Sequence, residues 1–383
     1  MNKKLIVTIF AVLALLVAAC AAPGAARAPE ADEPAAETSD SGEAAEPSAD
    51  TETGANEEAP SSEEANAAES QDLATVRMGI IPITIFAPVF VADAKGYFAD
   101  EGIKLEILAQ EGGPENVVQV AAGNFDAAGS GIGAGMLNAI ERGIEFEIVA
   151  PLHTERPPLT SPFVVSKERY DSGELTSMAD MDGKKVSINS KGAATEYWLW
   201  NALQQGGLDF PDVEVVGVAY RDTTPALQNG SLDGGILSEP LATLMEDQGL
   251  VTRLSQDFID HFTPTYVFFN KDWAAANPDL AKGFVKAYLR GARDLNGDQW
   301  YTEENASIIE QYTGVPTDVI LRANRSYHDP NGEIPIEDIE TLEDFFRAQG
   351  ELAYDEDLDL SPYVNSSYAE AAVQELGGPV EWK

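Results

Sequence analysis

The sequence predicts an α/β protein of two lobes, with two mostly parallel sheets joined by extended segments that cross between them. Three observations predict it. From residue 76 onward short apolar runs alternate with helical patterns, as in a mostly parallel sheet covered on both faces. About 310 of the 383 residues follow an N-terminal stretch of different composition, too many for one simple core. Val120-Ala121-Ala122-Gly123-Asn124-Phe125-Asp126-Ala127-Ala128 is also echoed by Ala226-Leu227-Gln228-Asn229-Gly230-Ser231-Leu232-Asp233-Gly234. Each copy reads helix, Gly, two residues, Asp, strand, and then a helix that ends in Gly (Gly143 and Gly249).

The chain opens with a targeting pattern. Lys3 and Lys4 precede an apolar run that ends in Leu16-Val17-Ala18-Ala19-Cys20. A positive start, a short apolar core and a small-residue cleavage site make residues 1–19 a secretory signal, not a membrane span. Leu-Val-Ala-Ala-Cys resembles a bacterial lipobox, which implies cleavage before Cys20 and lipidation of its sulfur and amine. The alternative is an ordinary signal followed by a chance cysteine. As the single cysteine, Cys20 leaves no disulfide framework and no cysteine-based metal site.

Residues 21–72 contain no aromatic side chain and carry a formal −14. Low hydrophobicity and high charge cannot offset the entropy of ordering, so residues 20–72 read as a disordered acidic tether behind a lipid anchor. Of the chain's −41, residues 73–383 hold −29. Such a surface repels nucleic acid and anionic lipid headgroups, so contact with a membrane is expected through the anchor alone.

In chain order, 76–81 is a first strand stopped by Pro82, and Pro88 starts a helix capped at Gly96. A turn over 97–103 leads to a strand at 105–108, a helix at 116–122, a strand at 125–128, a helix at 134–142 and a strand at 146–150. Residues 162–165 and 266–269 are extended and are expected to cross between lobes, dividing the chain into lobe one (73–162 and 264–383) and lobe two (163–263). Lobe two begins with Val186 and Ile188 on a strand, a polar turn, and an aromatic-rich helix to Leu203. A strand at 213–219, a helix at 224–229, a strand at 235–237 and a helix at 241–248 complete it. The remainder reads as helices at 280–294, 303–312, 317–325 and 336–349, then acidic turns near 354–360.

These residues bear a resemblance. Ala94-Lys95-Gly96-Tyr97-Phe98-Ala99-Asp100-Glu101-Gly102-Ile103, after a strand and a Pro-containing loop, resembles the opening of periplasmic substrate-binding proteins for nitrate, sulfonate, taurine and the thiamine pyrimidine precursor. Gly123-Asn124-Phe125-Asp126 and Ser238-Glu239-Pro240 match the same group. The resemblance covers roughly 75–350. It implies a type II periplasmic-binding-protein fold, a monomer that closes on a solute and hands it to the permease and ATPase subunits of an ABC importer. With a lipobox and acidic tether the chain looks most like the pyrimidine-precursor branch, which includes riboflavin-binding lipoproteins. That places it on the outer face of the cell membrane. The related pyrimidine-forming enzymes carry a cysteine-rich motif, and this chain has no cysteine after Cys20.

Ligand contacts are expected from turns at the carboxyl ends of strands, where helix starts point free N–H groups into the crevice. The candidates are Phe86, Ser130, Thr154, Ser190, Thr195, Glu196, Tyr197, Trp198, Tyr220, Asp222 and Glu239. Each has a plainer role available. Phe86 either packs or stacks; Gly129-Ser130-Gly131 is either a flexible junction or a place where ligand meets backbone. His153 is more often a surface histidine than a contact. Tyr197, Trp198 and Trp200 cannot share one helix face, and Tyr197, near the helix start, is the better placed to reach a ligand.

Two ligand classes fit. A planar heterocycle would stack on Phe86, Tyr197, Trp198 or Tyr220, with Glu196, Asp222 or Glu239 accepting its donors. An oxyanion would use the helix start at 192–195 with Lys191, Arg156 or Arg221. The −29 charge and the aromatic residues favour the heterocycle; within that class the resemblance implies riboflavin or a thiamine pyrimidine, and riboflavin, whose three rings and ribityl chain would use more aromatic and hydroxyl contacts, is preferred. Catalysis is not expected. His153, His261 and His328 have no metal spacing, and neither a Gly-x-Ser-x-Gly elbow nor a P-loop is present, so no cofactor is implied. A lipid-anchored sensory or adhesion module is the third possibility.

Overall fold

The computed structural model describes residues 73–110 and 113–383; the signal, Cys20 and the acidic stretch lie outside the described residues. Ten strands run in chain order: β1 (Ala74–Ile80), β2 (Ile103–Ala109), β3 (Ala127–Gly131), β4 (Phe146–Glu155), β5 (Phe163–Ser166), β6 (Lys185–Ile188), β7 (Glu214–Gly217), β8 (Gly234–Ile236), β9 (Val251–Ser255) and β10 (Phe262–Asn270). They form two five-stranded sheets, β2-β1-β3-β10-β4 and β7-β6-β8-β5-β9. β1 is parallel to β2 and β3, whereas β10 is antiparallel to β3 and β4. The second sheet repeats the plan, with β6 parallel to β7 and β8 and β5 antiparallel to β8 and β9. The mostly parallel, two-lobed α/β architecture is therefore present.

The expected crossing segments prove to be the reversed strands themselves. Residues 163–165 and 266–269 sit inside the sheets as β5 and β10, and the crossings are made by 156–162 and 256–261 just before them. Their all-buried, uninterrupted apolar character is that of a strand covered on both faces. Along β10, Val267 and Phe269 enter one apolar cluster while Tyr266 and Phe268 enter the other, as pleat alternation requires.

The internal echo has a structural cause. Asp126 accepts the backbone N–H of Arg77 on β1 at 2.9 Å, and Asp233 accepts that of Lys185 on β6 at 2.7 Å. Each aspartate pins the central strand of its sheet to its parallel neighbour, β3 to β1 and β8 to β6, so β3 and β8 occupy equivalent places.

Helix Pro278–Asp294 buries Ala281, Phe284, Val285, Tyr288, Leu289 and Ala292, one face at helical spacing. Its Tyr288 hydroxyl donates to Pro151 O at 2.7 Å and so fixes the middle of β4. β4 runs five residues beyond the expected end at 150, past a register irregularity opposite Tyr266 that accommodates Pro151. That extension carries His153 and Glu155 forward. β9 and the helix Ser367–Glu375 were not anticipated, and the helix expected over 317–325 is the single turn Thr317–Ile320.

Candidate functional site

The carboxyl ends of the parallel strands in both sheets converge on one partly open cavity. From the first lobe, Phe86 follows β1, Ser130 lies on β3, and His153 and Glu155 end β4. From the second, Asn189 follows β6, Trp198 lies one turn into the helix Thr195–Gln205, and Tyr220 opens the helix Tyr220–Gln228 after β7. The lobes touch around it. Thr84 donates its N–H and hydroxyl to Glu239 O at 3.4 and 3.2 Å, and Ala134 N–H donates to Gly192 O at 3.0 Å.

Five of the expected residues line the cavity: Phe86, Ser130, Thr195, Trp198 and Tyr220. Phe86 also packs, because a Cβ on Gly129 would lie 2.4 Å from its ring. Thr195 donates its hydroxyl to Asn189 Oδ1 at 2.5 Å, bracing the turn. Trp198 is buried, and its Nε1 has no partner among the described residues, an orphaned donor in the wall of a cavity. Burial, and then the charge of Glu155, push the Tyr220 phenol well above its ordinary value, so it remains an O–H donor.

The other six lie elsewhere. Thr154 alternates to the opposite side of β4 from His153 and meets Thr263 Oγ1 at 2.6 Å. Ser190 is half-buried, with its hydroxyl 3.5 Å from Lys191 O. Glu196 turns back to accept Gly192 N–H at 2.8 Å. Tyr197 does not line the cavity; it packs against Trp200, Phe262 and Phe345 with ring centroids 6.1, 5.1 and 5.3 Å away. Asp222 is exposed beside Arg221. Glu239 is fully buried and engaged by Arg253 at 2.8 Å, by Thr243 N–H at 3.0 Å and by Asn324 N–H at 3.0 Å, which ties the second lobe to the C-terminal segment.

A buried polar chain takes their place. His153 Nδ1 bonds Thr265 Oγ1 on the neighbouring β10, and His153 Nε2 lies 3.5 Å from Glu155 Oε1. Glu155 accepts the Thr160 N–H at 2.8 Å and hydroxyl at 2.5 Å. Ser161 Oγ donates to Ser238 Oγ at 3.3 Å beside them. Sequence reasoning expects contacts from the turn 153–156 and weighs His153 within it without singling out Glu155; it misses Thr265 and Ser161. The available signal was period-two spacing, which puts residues 153 and 155 on one face once the strand is carried past Pro151.

Among the described residues, no Lys or Arg lines the cavity. Arg156 lies over the rings of Trp382 and Tyr327 at 4.2 and 4.8 Å, Lys191 is exposed, and Arg221 projects to a neighbouring pocket with a largely exposed side chain. What remains for an acceptor group is the turn into the helix Thr195–Gln205, where Ala193, Ala194 and Thr195 line the cavity; the Glu196 and Tyr197 N–H groups already donate to Ala193 O at 2.9 Å and Ala194 O at 3.0 Å.

The riboflavin-binding protein RibY of Chloroflexus aurantiacus is 27% identical over 235 residues, 60% of this chain and 64% of that protein. The nitrate/nitrite binding protein NrtA of Nostoc sp. is 26% identical over 246 residues, 58% of this chain and 54% of the relative. Both matches thus span less than two thirds of the relative's own length. Among solved structures, the alkanesulfonate-binding protein SsuA from Xanthomonas axonopodis superposes with a TM-score of 0.62 at 17% identity, covering 77% of this chain and 99% of that one. The nitrate-binding protein NrtA from Synechocystis gives 0.66 at 18%, covering 80% and 90%. These likenesses show the two-lobed periplasmic-binding-protein fold. The NMT1-like family matches residues 69–310, more than half the chain, and the chain belongs to that family.

Proposed function

We propose that this protein is the extracytoplasmic solute-binding component of an ABC importer, and that its solute is a planar heterocycle, with riboflavin the first choice. One observation carries the choice of solute: the cavity is walled by Phe86, Trp198 and Tyr220, contains the buried Glu155, and among the described residues has no Lys or Arg in its lining. Aromatic walls favour a flat ring system. Trp198 Nε1–H and the Tyr220 hydroxyl would donate to ring carbonyls, and Glu155 would accept ring N–H or hydroxyl groups. Likeness to RibY supports the same choice. In this reading the protein captures and delivers, without catalysis, and hands its solute to permease and ATPase subunits. Residues 73–162 and 264–383 would move against 163–263, and Cys20 would hold the protein to the outer membrane face by its lipid.

A thiamine pyrimidine would use the same walls. A second class, oxyanions such as nitrate, taurine or another alkanesulfonate, is favoured by the helix start at Ala193–Thr195 and by likeness to NrtA. A thermal-shift screen of the full chain against riboflavin, the hydroxymethylpyrimidine of thiamine, taurine and nitrate separates them. A solute at a hundred times its dissociation constant adds about 2.7 kcal/mol, a few degrees in melting temperature for a chain of this size. Riboflavin is expected to shift the melt. A shift with nitrate or taurine and none with riboflavin would overturn the choice of solute.

A further inference from the structure

The lobes approach closely at Gly192, and two carboxyl groups meet there. Glu196, on the second lobe's helix Thr195–Gln205, accepts the Gly192 N–H at 2.8 Å through Oε1. The carbonyl of the same glycine accepts Ala134 N–H from the first lobe at 3.0 Å. Glu351 reaches it from the first lobe's side, its Oε2 lying 3.9 Å from where a Gly192 Cβ would be. Its segment is tied to helix Ala134–Glu141, because Asn138 donates to Glu351 O at 3.0 Å and accepts Ala353 N–H at 2.7 Å. We propose that Glu196 and Glu351 form a proton-linked latch: the lobes stay closed while a proton on Glu196 bridges it to Glu351, and lose that tie when Glu196 gives the proton up.

The electrostatics agree with the geometry. Burial pushes Glu196 up to about 7, and the Glu351 carboxyl adds to the rise by hydrogen bonding and by like charge. The Gly192 N–H and Lys191, on the turn before the helix, act in the opposite direction without cancelling it. The sign follows. If opening restores Glu196 to water, its value falls toward the ordinary 4.5. The closed form then binds the extra proton, so closure is favoured on the acid side. It weakens as pH rises from about 4.5 to about 7 and levels off above that. A solute captured in a mildly acidic medium would be released more readily in a neutral one. The inference needs two lobes that move but no particular solute, so it stands or falls apart from the choice of riboflavin.

The test reads lobe separation without ligand. Lys104→Cys on β2 and Glu214→Cys on β7 place spin labels on the sheet edges farthest from the crossings, in the full chain carrying Cys20→Ser. Double electron–electron resonance then gives the closed-to-open ratio at about pH 5.5 and about pH 8.5. The ratio is expected to fall at least about tenfold across that interval. Glu351→Gln, at an exposed position whose backbone bonds remain, is expected to move the transition to lower pH and to leave more closed form at pH 8.5 than in the parent. Glu196→Gln is expected to abolish the dependence. A parent ratio that does not change with pH, or a Glu351→Gln profile that coincides with the parent's, would overturn the latch.

Discussion

Trp198 has a different fate from the aromatic residues beside it, although all three sit on one helix. Successive positions turn by about 100°, so positions 197, 198 and 200 had to diverge. Sequence alone showed that divergence but not its direction, because Phe262 and Phe345 are distant in the chain. They surround Tyr197, Phe345 also meets Trp200, and Trp198 keeps an edge contact with Phe262 at 6.0 Å while lining the cavity. Trp198→Ala is therefore expected to weaken solute binding about tenfold to a hundredfold by calorimetry, the loss typical of a buried aromatic anchor. Tyr197→Ala should lower the melting temperature while changing the dissociation constant less than about threefold. Glu239 shows the same difficulty more sharply. As an acidic side chain after a strand it reads equally well as a ligand contact, and only the fold reveals Arg253, Thr243 and Asn324 around it. Glu239→Ala leaves Arg253 without its most buried partner, and denaturant unfolding should show a loss of about 3 kcal/mol or more.

Among the elements, the turn from β3 into the helix Ala134–Glu141 controls how closely the lobes approach. Gly133 has an extended conformation that any residue adopts, but a Cβ there would lie 2.2 Å from Gly192 O. Its smallness serves contact between lobes, not backbone freedom. Gly133→Ala is expected to keep the fold, with a melting temperature within a few degrees of the parent, and to raise the solute dissociation constant at least about tenfold by holding the cleft ajar. A dissociation constant unchanged by the substitution would show that closure there is not needed. The elements legible in sequence were those with period or punctuation: β1 before Pro82, the helices ending at Gly143 and Gly249, and the repeated Gly-x-x-Asp whose aspartates pin β3 and β8. The reversed strands β5 and β10 were legible as extended but not as sheet members, since burial on both faces erases alternation. The end of β4 was lost because Pro151 interrupts its pattern, and Glu155 was therefore read as part of a turn and not as a strand residue facing the cavity.

At the scale of the molecule, one buried base sets a limit on acid stability. Burial holds His328 down to about 3, with the charges of His153 and Arg325 acting the same way and the Leu152 carbonyl opposing. Its folded value lies below the ordinary 6.5, so the folded state excludes a proton that the unfolded chain takes up. Stability is complete above 6.5 and is lost as pH falls toward 3, by up to about 1.4 kcal/mol per pH unit. His328→Gln, whose amide can still reach Leu152 O, should flatten that slope in urea unfolding between pH 6.5 and 4.5; an unchanged slope would assign it to other groups. Acid would thus favour closure through Glu196 while costing global stability through His328, two effects separable by lobe distance and by melting. The −29 on residues 73–383 and the lack of a Lys or Arg in the cavity lining among the described residues both support the proposed solute, one recognised by ring faces and hydrogen bonds. Flavin emission tests this most directly. Titrating the full chain into riboflavin should quench its fluorescence, saturating at one equivalent, and Trp198→Ala should weaken the interaction. Unchanged emission at protein concentrations where nitrate or taurine raises the melting temperature would contradict the account.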